Sequence, residues 1–367
     1  MQRLLINKEN LSNINIETRS LNLQENEVLL EIDSFGLSAN NITYAVLGQS
    51  FGYWGFFLTN EPEQYGVIPV WGFANVAASN NPDIAVGKRV FGYLPFASHV
   101  VVQPKHVDST GFFDAHSQRK SISPVYDHYV FCDTDTGYQL ANESWQITYR
   151  PLFMTSFVLS TFVASQYSHA RNVFITSASS KTAYGTAMLL KQQLAGQSCK
   201  IVGLSSSANI DFVNELGCYD EIVDYDDIET YMAKLNSSST HTAEQNTQVI
   251  LDFAGNKNTL HSLQKGLQDY QVSTQLIGAT DVNGRNTSDV NTSGEVFFAP
   301  SQVKLRQDEW GKAEFFAKYQ NAWETFLRAI KPHIQEINVE GFENMSNQYL
   351  SALQGNINPR QMLILRP

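Results

Sequence analysis

The sequence lacks the marks of several protein classes. Its three cysteines, Cys132, Cys199 and Cys218, are far apart and show no Cys-x-x-Cys spacing. An odd number of scattered cysteines argues against a disulfide framework or a cysteine-ligated zinc cluster. No apolar run approaches the ~18 residues of a membrane-spanning helix, and the first ten residues are polar. We therefore expect no signal peptide and no membrane anchor, and we predict a cytoplasmic protein.

An excess of positive charge is also absent. The chain has 25 Lys and Arg residues against 36 Asp and Glu residues, a net charge of −11, and no block of basic residues. Such a balance disfavours binding to nucleic acid or to an anionic membrane. The expected partner is a small molecule, which a local cationic pocket can still bind if it is phosphorylated.

The composition is that of a globular protein with two domains. The chain has 367 residues, which is longer than a domain with a single hydrophobic core usually is. Of these residues 43% are hydrophobic and 12% aromatic, which is typical of a globular chain and not of a disordered one. Short β segments separated by Gly and Pro fill residues 1–110. A buried helix is predicted over Arg150–Val163, with Pro151 in its first turn. Strands and helices alternate from there on, which predicts a doubly wound parallel sheet. A last strand, Gln361–Leu365, follows an aromatic helical stripe that runs from Trp310 through Phe316 to Ile330.

A strand–turn–helix at residues 171–191 is the main candidate for a binding site. An apolar strand, Val173–Ile175, precedes the small-residue turn Ser177–Ser180 and a helical pattern. Dinucleotide-binding turns are rich in glycine, and here Ser177, Ser180 and Ala183 take those positions. Small side chains still allow a pyrophosphate to approach the backbone. The interpretation left open is a polar turn without a ligand.

Hydroxyls and one lysine add to the chemistry of this turn. Ser179, Ser180 and Thr182 supply further hydrogen-bond donors. Lys181 stands at the start of the helix, where the helix dipole disfavours a positive charge, so an anionic ligand would explain its presence. We predict that Ser177, Ser179, Ser180, Lys181 and Thr182 bind phosphate.

Several separated segments resemble one protein superfamily. They are Ala39-Asn-Asn-Ile-Thr-Tyr-Ala45, Val70-Trp-Gly-Phe-Ala74, Val86-Gly-Lys-Arg-Val-Phe-Gly-Tyr-Leu-Pro95, Arg150-Pro-Leu-Phe153, Ser177-Ala-Ser-Ser-Lys-Thr-Ala183, Leu216-Gly-Cys-Tyr-Asp220 and Phe297-Phe-Ala-Pro300. With the order β domain, α/β domain and returning strand, the chain resembles the medium-chain dehydrogenases/reductases of the zinc-free, quinone-oxidoreductase-like kind. Within that group it is similar to the DUF2855 family.

The resemblance implies an α/β fold with two domains. A GroES-like β domain, residues 1–145 with 331–367, would bind the substrate, and a Rossmann domain, residues 146–330, would bind the nucleotide. NAD(P)H would lie in the cleft between them. The Gly-His-Glu segment and the cysteine quartet of zinc-binding members are missing, so we expect no zinc. Zinc-free relatives are often dimers, which makes a homodimer an expectation.

The choice of nucleotide depends on the end of the second parallel strand. NAD-selective sites carry an acidic residue there, whereas this chain has Ser205, Ser206 and Ser207. Serines can donate to a 2′-phosphate, so NADP(H) is favoured over NAD(H), although the three serines could equally form a plain loop. Gly255 and Gly278, after later strands, would allow the backbone to approach the cofactor or would serve a turn.

The substrate pocket is predicted in the β domain. Without zinc, a carbonyl, enone or quinone needs a hydrogen-bond donor, and Tyr44 is the candidate proton donor because the matching region of the family faces the nicotinamide. Asn40 and Asn41 would orient the substrate or satisfy backbone groups. Tyr53 and Trp54 would wall a flat pocket or belong to the core.

Two classes of function remain open. The first is an NADP(H)-dependent oxidoreductase acting on a small carbonyl, enone or quinone-like substrate. The second is a non-catalytic nucleotide-binding sensor or scaffold of the same fold, which the altered turn favours. A binder of another phosphorylated ligand, such as an acyl-CoA, explains the α/β domain less well.

Overall fold

The protein was analysed as a computed structural model that describes residues 1–115, 124–237, 247–278 and 293–367. It divides into two compact units. Met1–Pro151 and Gln335–Pro367 form one, here called the β-rich unit, and Leu152–Ile334 forms the other, called the parallel-sheet unit. The assignment of the two units to substrate and nucleotide stays a prediction. Within the described ranges, no helix is both long and apolar enough to cross a membrane.

The β-rich unit is built on antiparallel strands. Its strands are β1 (Gln2–Asn7), β2 (Ile14–Thr18), β3 (Val28–Leu37), β4 (Tyr65–Gly66), β5 (Pro69–Ser79), β6 (Arg89–Pro95), β7 (His99–Val102), β8 (Pro104–Lys105), β9 (Gly111–Asp114), β10 (His128–Phe131), β17 (Gln335–Glu340) and β18 (Gln361–Arg366). Its helices are α1 (Ala39–Val46) and α9 (Phe342–Leu353), with short 3₁₀ turns at Tyr53–Gly55, Pro124–Tyr126 and Leu140–Asn142.

The main sheet of this unit pairs the last strand of the chain with β3, an early strand. Its described strands run in the order β17-β18-β3-β5-β6-β10-β9-β8, with β7 also paired to β3. The last strand, β18, pairs antiparallel with β3 through Leu363–Leu37 and Leu365–Phe35. The predicted return of the C-terminal strand is therefore confirmed. A smaller sheet has the order β2-β1-β4.

The parallel-sheet unit alternates strands and helices. Its strands are β11 (Asn172–Ile175), β12 (Lys200–Ser205), β13 (Glu221–Asp224), β14 (Thr247–Asp252), β15 (Gln271–Leu276) and β16 (Glu295–Val296). Its helices are α3 (Lys181–Gln193), α4 (Ile210–Glu215), α5 (Ile228–Ser237), α6 (Lys257–Gly266), α7 (Ala299–Trp310) and α8 (Lys312–Ile330), with 3₁₀ turns at Ser207–Asn209, Tyr225–Asp227 and Lys331–His333. Helix α2 (Glu143–Gln166) runs through the boundary of the two units.

The strands of this sheet follow the order of a Rossmann fold. The described sequence is β13-β12-β11-β14-β15-β16, and every pair is parallel. In order along the chain this is 3-2-1-4-5-6, with the topological switch point between β11 and β14. Because ligands of such sheets bind outside the carboxyl ends of the strands at the switch point, a ligand of this sheet would lie beside the residues that follow β11 and β14.

Two helical predictions were wrong in detail. Helix α2 begins at Glu143, so Pro151 lies in its third turn instead of its first. The helical stripe at the end of the parallel-sheet unit is interrupted at Gly311, whose φ of 82° separates α7 from α8. The stripe restarts after this break, and Phe315 is fully buried whereas Phe316 is 52% exposed. Tyr319, Trp323, Phe326 and Ile330 are buried as the stripe predicts, and only at its start does Phe315 take the buried position expected of Phe316.

Candidate functional site

The turn after β11 contains a serine, Ser177, in a backbone conformation that favours glycine. Ser177 has a φ of 51°, in the left-handed region that costs a non-glycine residue about 1 kcal/mol or more. The Ala178 N–H donates to the Leu204 carbonyl at 2.9 Å, and the Ser180 N–H donates to the Ser177 carbonyl at 2.8 Å. These bonds hold the turn against β12 and lead the chain into α3.

The polar side chains of the turn are accessible, whereas its lysine is buried. Ser177, Ser179, Ser180 and Thr182 are half-buried. Helix α3 begins directly after Ser180, so the first N–H groups of the helix have no intrahelical acceptor. These four predicted residues and Lys181 are thus brought together at the carboxyl end of β11. A helix N-terminus with accessible hydroxyls can accept a phosphate group.

Lys181 lies in an environment that disfavours its charge. The residue is 9% exposed, and burial lowers the pKa of its ammonium group to about 8. The positive end of the α3 dipole lies at the same point of the chain. An anion bound at this turn would stabilise the charged lysine, and phosphate binding by Lys181 and the turn stays a prediction.

A hydrogen-bond network that the sequence did not reveal fixes the switch point. The Thr176 hydroxyl donates to Asp252 Oδ1 at 2.6 Å and accepts from the N–H groups of Phe253 and Ala254 at 2.9 and 3.1 Å. Asp252 Oδ1 also accepts from the Gly255 N–H at 3.2 Å. Both side chains are almost fully buried. The ends of β11 and β14 are therefore tied together by one threonine and one aspartate.

Two tyrosines from the β13 region brace the turn from the other side. The Tyr225 hydroxyl accepts from the Ser177 N–H at 2.7 Å, and the Tyr219 hydroxyl donates to the Ala178 carbonyl at 2.8 Å. Tyr219 fits because Gly203 has no side chain: a Cβ there would lie 2.8 Å from its ring. Tyr219 and Tyr225 lie more than 40 residues after Ser177 in the sequence, so no local pattern predicts these contacts.

The three predicted serines after β12 differ in exposure. Ser205 is the last residue of the strand and is 1% exposed. Ser206 is half-buried and its Oγ accepts from the Asn209 amide at 3.2 Å, while Ser207 is exposed at the start of a 3₁₀ turn. Ser206 and Ser207 are therefore the two members of the trio whose hydroxyls a ligand in this unit can reach.

The two predicted glycines have different structural roles. Gly255 has a φ of 68° and ends the turn after β14. At Gly278, after β15, a Cβ would lie 2.3 Å from the Phe253 carbonyl oxygen, so the two backbone segments are in contact. Gly278 thus allows the carboxyl ends of β14 and β15 to lie close together, Gly255 allows the left-handed turn, and the contact of either glycine with a cofactor stays a prediction.

In the β-rich unit, Tyr44 belongs to a group of four buried tyrosines. This tyrosine cluster consists of Tyr44, Tyr53, Tyr93 and Tyr126, none more than 9% exposed. The centroid of the Tyr44 ring lies 4.6 Å from that of Tyr53 and 5.7 Å from that of Tyr93, and the centroids of Tyr93 and Tyr126 are 4.7 Å apart. Trp71 packs on Tyr93 at 4.9 Å. Tyr93, Tyr126 and Trp71 were not predicted as site residues.

The Tyr44 hydroxyl is surrounded by hydrogen-bonding groups. Burial raises the pKa of Tyr44, and the neighbouring Trp71, Asn40 and Tyr93 offset part of that rise. An indole N–H can only donate, so Trp71 stabilises negative charge on the Tyr44 oxygen. The role of Tyr44 as a proton donor stays a prediction.

The other predicted pocket residues differ in how many structural contacts they make. Asn41 Oδ1 accepts from the Ser38 N–H at 2.8 Å and its Nδ2 donates to the Pro69 carbonyl at 3.2 Å, which begins α1 and ties it to β5. Asn40 is half-buried beside Tyr44. Trp54 is buried between two glycines, since a Cβ at Gly48 or Gly66 would lie within 2.3 Å of its indole.

Burial makes the three cysteine thiols poorly acidic. Burial raises the pKa of the Cys132 and Cys218 thiols to about 12 and that of Cys199 to about 11. In the portion of the chain that the structure covers, no three His, Cys, Asp or Glu side chains are grouped as metal ligands.

Solved structures of similar fold include several oxidoreductases. CurA from Vibrio vulnificus, in complex with NADPH, superimposes with a TM-score of 0.65 at 13% identity, over 100% of this chain and 99% of that one. The yhdH oxidoreductase from Salmonella enterica, in complex with NADP, gives 0.52 at 11% identity and full coverage of both chains. CurK enoyl reductase gives 0.51 at 14% identity, over 100% and 98%. At these identities the likeness concerns the fold.

Sequence comparison is more specific about the family. Among curated proteins no relative matches the chain. The profile of DUF2855, a family described as proteins of unknown function, matches residues 35–358. The chain therefore belongs to the DUF2855 family, and it has the two-part fold of a medium-chain dehydrogenase/reductase, with a GroES-like and a Rossmann domain.

Proposed function

We propose that the protein is an NADP(H)-dependent oxidoreductase that transfers hydride to or from a small carbonyl, enone or quinone-like substrate without zinc. The observation that carries the proposal is the turn after β11, at the switch point of a 3-2-1-4-5-6 parallel sheet, with its left-handed Ser177 and buried Lys181. The nucleotide complexes of the similar folds CurA and yhdH support it. A homodimer in the cytoplasm is the form we propose for the enzyme.

The residues of the turn fit a dinucleotide. Ser177, Ser179, Ser180 and Thr182 would bind the pyrophosphate, with Lys181 as the compensating charge. Ser206 and Ser207, with no acidic residue beside them before Asp211, would accept a 2′-phosphate. The bound cofactor supplies the hydride. The chain's own task is then to hold the nucleotide and to provide a proton at the substrate oxygen.

Tyr44 is the residue that we propose for proton donation. Burial raises the pKa of its hydroxyl, whereas Trp71 and Asn40 act in the opposite direction and would favour the phenolate that remains after the proton has left. Because the sequence lacks the zinc ligands of the metal-dependent relatives, hydrogen bonding replaces the Lewis acid in this proposal. Substrates whose own electronics favour hydride addition fit such a site.

Binding of NADPH tests the proposal. We expect the purified protein to enhance nicotinamide fluorescence on titration with NADPH, and to bind NADH more weakly. Lys181→Met keeps the volume of the side chain and removes its charge, so NADPH affinity should fall about 10–100-fold, as for the loss of a charge-assisted hydrogen bond.

A matched control lies on the same helix. Lys191 is in the last turn of α3, where its ammonium group donates to the Gly217 carbonyl at 3.1 Å. Lys191→Met removes a charge from α3 without touching the turn and should leave NADPH binding unchanged. No binding of either nucleotide by the wild-type protein would reject the oxidoreductase and favour the sensor or scaffold with a different ligand.

A further inference from the structure

The tyrosine cluster contains a buried hydroxyl that the fold does not use. The Tyr93 side chain is fully buried, and its hydroxyl has no partner at hydrogen-bond distance and angle among the described residues. Leaving such a group without a partner costs free energy, so a hydroxyl of this kind in a native core calls for an explanation. A phenylalanine would fill the same space without that cost.

The surroundings of Tyr93 indicate what the hydroxyl is for. Its ring contacts Tyr44, Phe56, Trp71 and Tyr126, with centroids 4.7–5.7 Å away. The hydroxyls of Tyr93 and Tyr44 are near enough to affect each other: Tyr93 lowers the pKa of Tyr44, while Tyr44 raises the pKa of Tyr93. This is the pattern of a donor, Tyr93, that interacts better with a charged Tyr44 oxygen than with a neutral one.

We propose that Tyr93 is a positioning residue that donates its hydrogen bond to Tyr44 once Tyr44 has given its proton to the carbonyl oxygen of the substrate. This inference rests on the proposed function and names its substrate class: compounds in which hydride addition develops negative charge on an oxygen. Conjugated aldehydes and ketones, and quinones, belong to this class. An interaction that forms only as charge develops lowers the barrier more than one present from the start.

In the proposed step a C–H bond of the reduced cofactor would break, and its hydride would form a C–H bond at the carbonyl carbon or at the conjugated β-carbon while the π electrons shift toward the carbonyl oxygen. That oxygen would take the proton of Tyr44, so the substrate gains one hydride from the reduced cofactor and one proton from the phenol. The Tyr44 phenolate accepts hydrogen bonds from Trp71, Asn40 and Tyr93 until water returns the proton.

Replacement of Tyr93 separates this role from a structural one. Because Tyr93→Phe removes an unsatisfied buried hydroxyl, the midpoint of thermal unfolding should stay the same or rise. The kcat for NADPH-dependent reduction of crotonaldehyde or menadione should nevertheless fall about 10–100-fold, with KM and NADPH affinity nearly unchanged. Tyr44→Phe should lower kcat about a hundredfold or more.

Tyr349 provides the matched control. It is also fully buried and also in the β-rich unit, but its hydroxyl donates to the Leu11 carbonyl at 3.0 Å and lies outside the tyrosine cluster. Tyr349→Phe should therefore lower the unfolding midpoint and leave kcat unchanged, the opposite of Tyr93→Phe. A Tyr93→Phe protein that is less stable and equally active overturns the proposal.

A binding measurement decides the matter even if neither substrate is reduced. The p-nitrophenolate ion carries its charge on an oxygen, as the reacting substrate does, and its absorbance changes on binding. The wild-type protein should bind it, and Tyr44→Phe and Tyr93→Phe should weaken binding about tenfold while Tyr349→Phe does not. Equal binding by all variants, or none by the wild type, rejects the role of Tyr93. If the wild-type protein does not bind NADPH, that result rejects the proposed function instead, and it comes from the separate NADPH titration.

Discussion

Lys181 couples the binding of an anion to the binding of a proton. In the folded protein burial lowers its pKa to about 8, whereas an unfolded lysine titrates near its ordinary value of about 10.4. Between these values the unfolded chain holds more protons, so this group makes the free energy of unfolding rise with pH across that window. Below pH 8 the lysine is charged in both states and the cost of burying the charge is fully present.

Proton uptake on NADPH binding follows from this shift. A phosphate beside Lys181 stabilises the ammonium form, so binding just above pH 8 should take up a fraction of a proton, and NADPH affinity should decrease as the pH rises through that value. Calorimetry in two buffers of different ionisation enthalpy measures the uptake. Lys181→Met should show none, and a wild-type protein with no uptake would contradict a phosphate contact with Lys181.

The three serines after β12 show which features of the candidate nucleotide site the sequence can predict and which it cannot. The sequence drew attention to three serines after β12 because no acidic residue stands there, yet only the structure shows that Ser205 is buried in the strand. Exposure depends on where a strand ends, and this boundary is set by pairing with neighbouring strands. The turn residues were predictable because their signal is local.

At the scale of elements, the tie between β11 and β14 rests on one hydroxyl. Thr176→Val keeps the shape of the side chain but leaves the N–H groups of Phe253 and Ala254 and the Asp252 carboxylate without this partner. We expect the free energy of unfolding of the parallel-sheet unit to fall by about 2–4 kcal/mol. Urea denaturation followed by circular dichroism measures the change.

Thr186 is the control for this substitution. It is fully buried in the same unit, but its hydroxyl only donates to the Thr182 carbonyl at 2.8 Å, within α3. A carbonyl in a helix already has its backbone partner, so Thr186→Val should change stability by less than about 1 kcal/mol. Equal losses for the two variants would mean that the Thr176 network adds nothing specific.

Elements were predictable where their pattern is local and less so where partners are distant. The strand Glu221–Asp224 and the turn before α3 follow directly from short apolar and polar runs. Helix α1 and strand β17 were not predicted, because α1 is short and depends on the Asn41 bonds to Ser38 and Pro69, and because β17 is largely exposed. The bracing of Ser177 by Tyr225 depends on the order of the strands in the sheet, which no single segment encodes.

At the scale of the whole molecule, the last strand of the chain lies inside the main sheet of the β-rich unit. Strand β18 lies between β17 and β3, and Ile364 in it is fully buried. Ile364→Ala should lower the free energy of unfolding of the β-rich unit by about 2–5 kcal/mol, the usual cost of such a cavity. Hydrogen exchange should report the loss in β3 and β18 and leave β11 and α3 protected.

Val86 offers the comparison for Ile364. It is a valine of the same unit with 63% of its surface exposed, so Val86→Ala should change exchange rates little. Equal loss of protection in both units after Ile364→Ala would mean that they unfold as one cooperative body. Separate loss would show that each unit has its own core, as its burial pattern suggests.

The left-handed backbone of Ser177 has a consequence for how relatives of this protein are found. Nucleotide-binding turns are commonly searched for by their glycines, because glycine adopts such angles at no cost. Here Ser177 has a left-handed φ of 51° without being a glycine, and hydrogen bonds with Tyr225 and Leu204 hold the segment in shape. A search by letters passes over such a chain, whereas a search by backbone angles at the end of a first parallel strand would retrieve it.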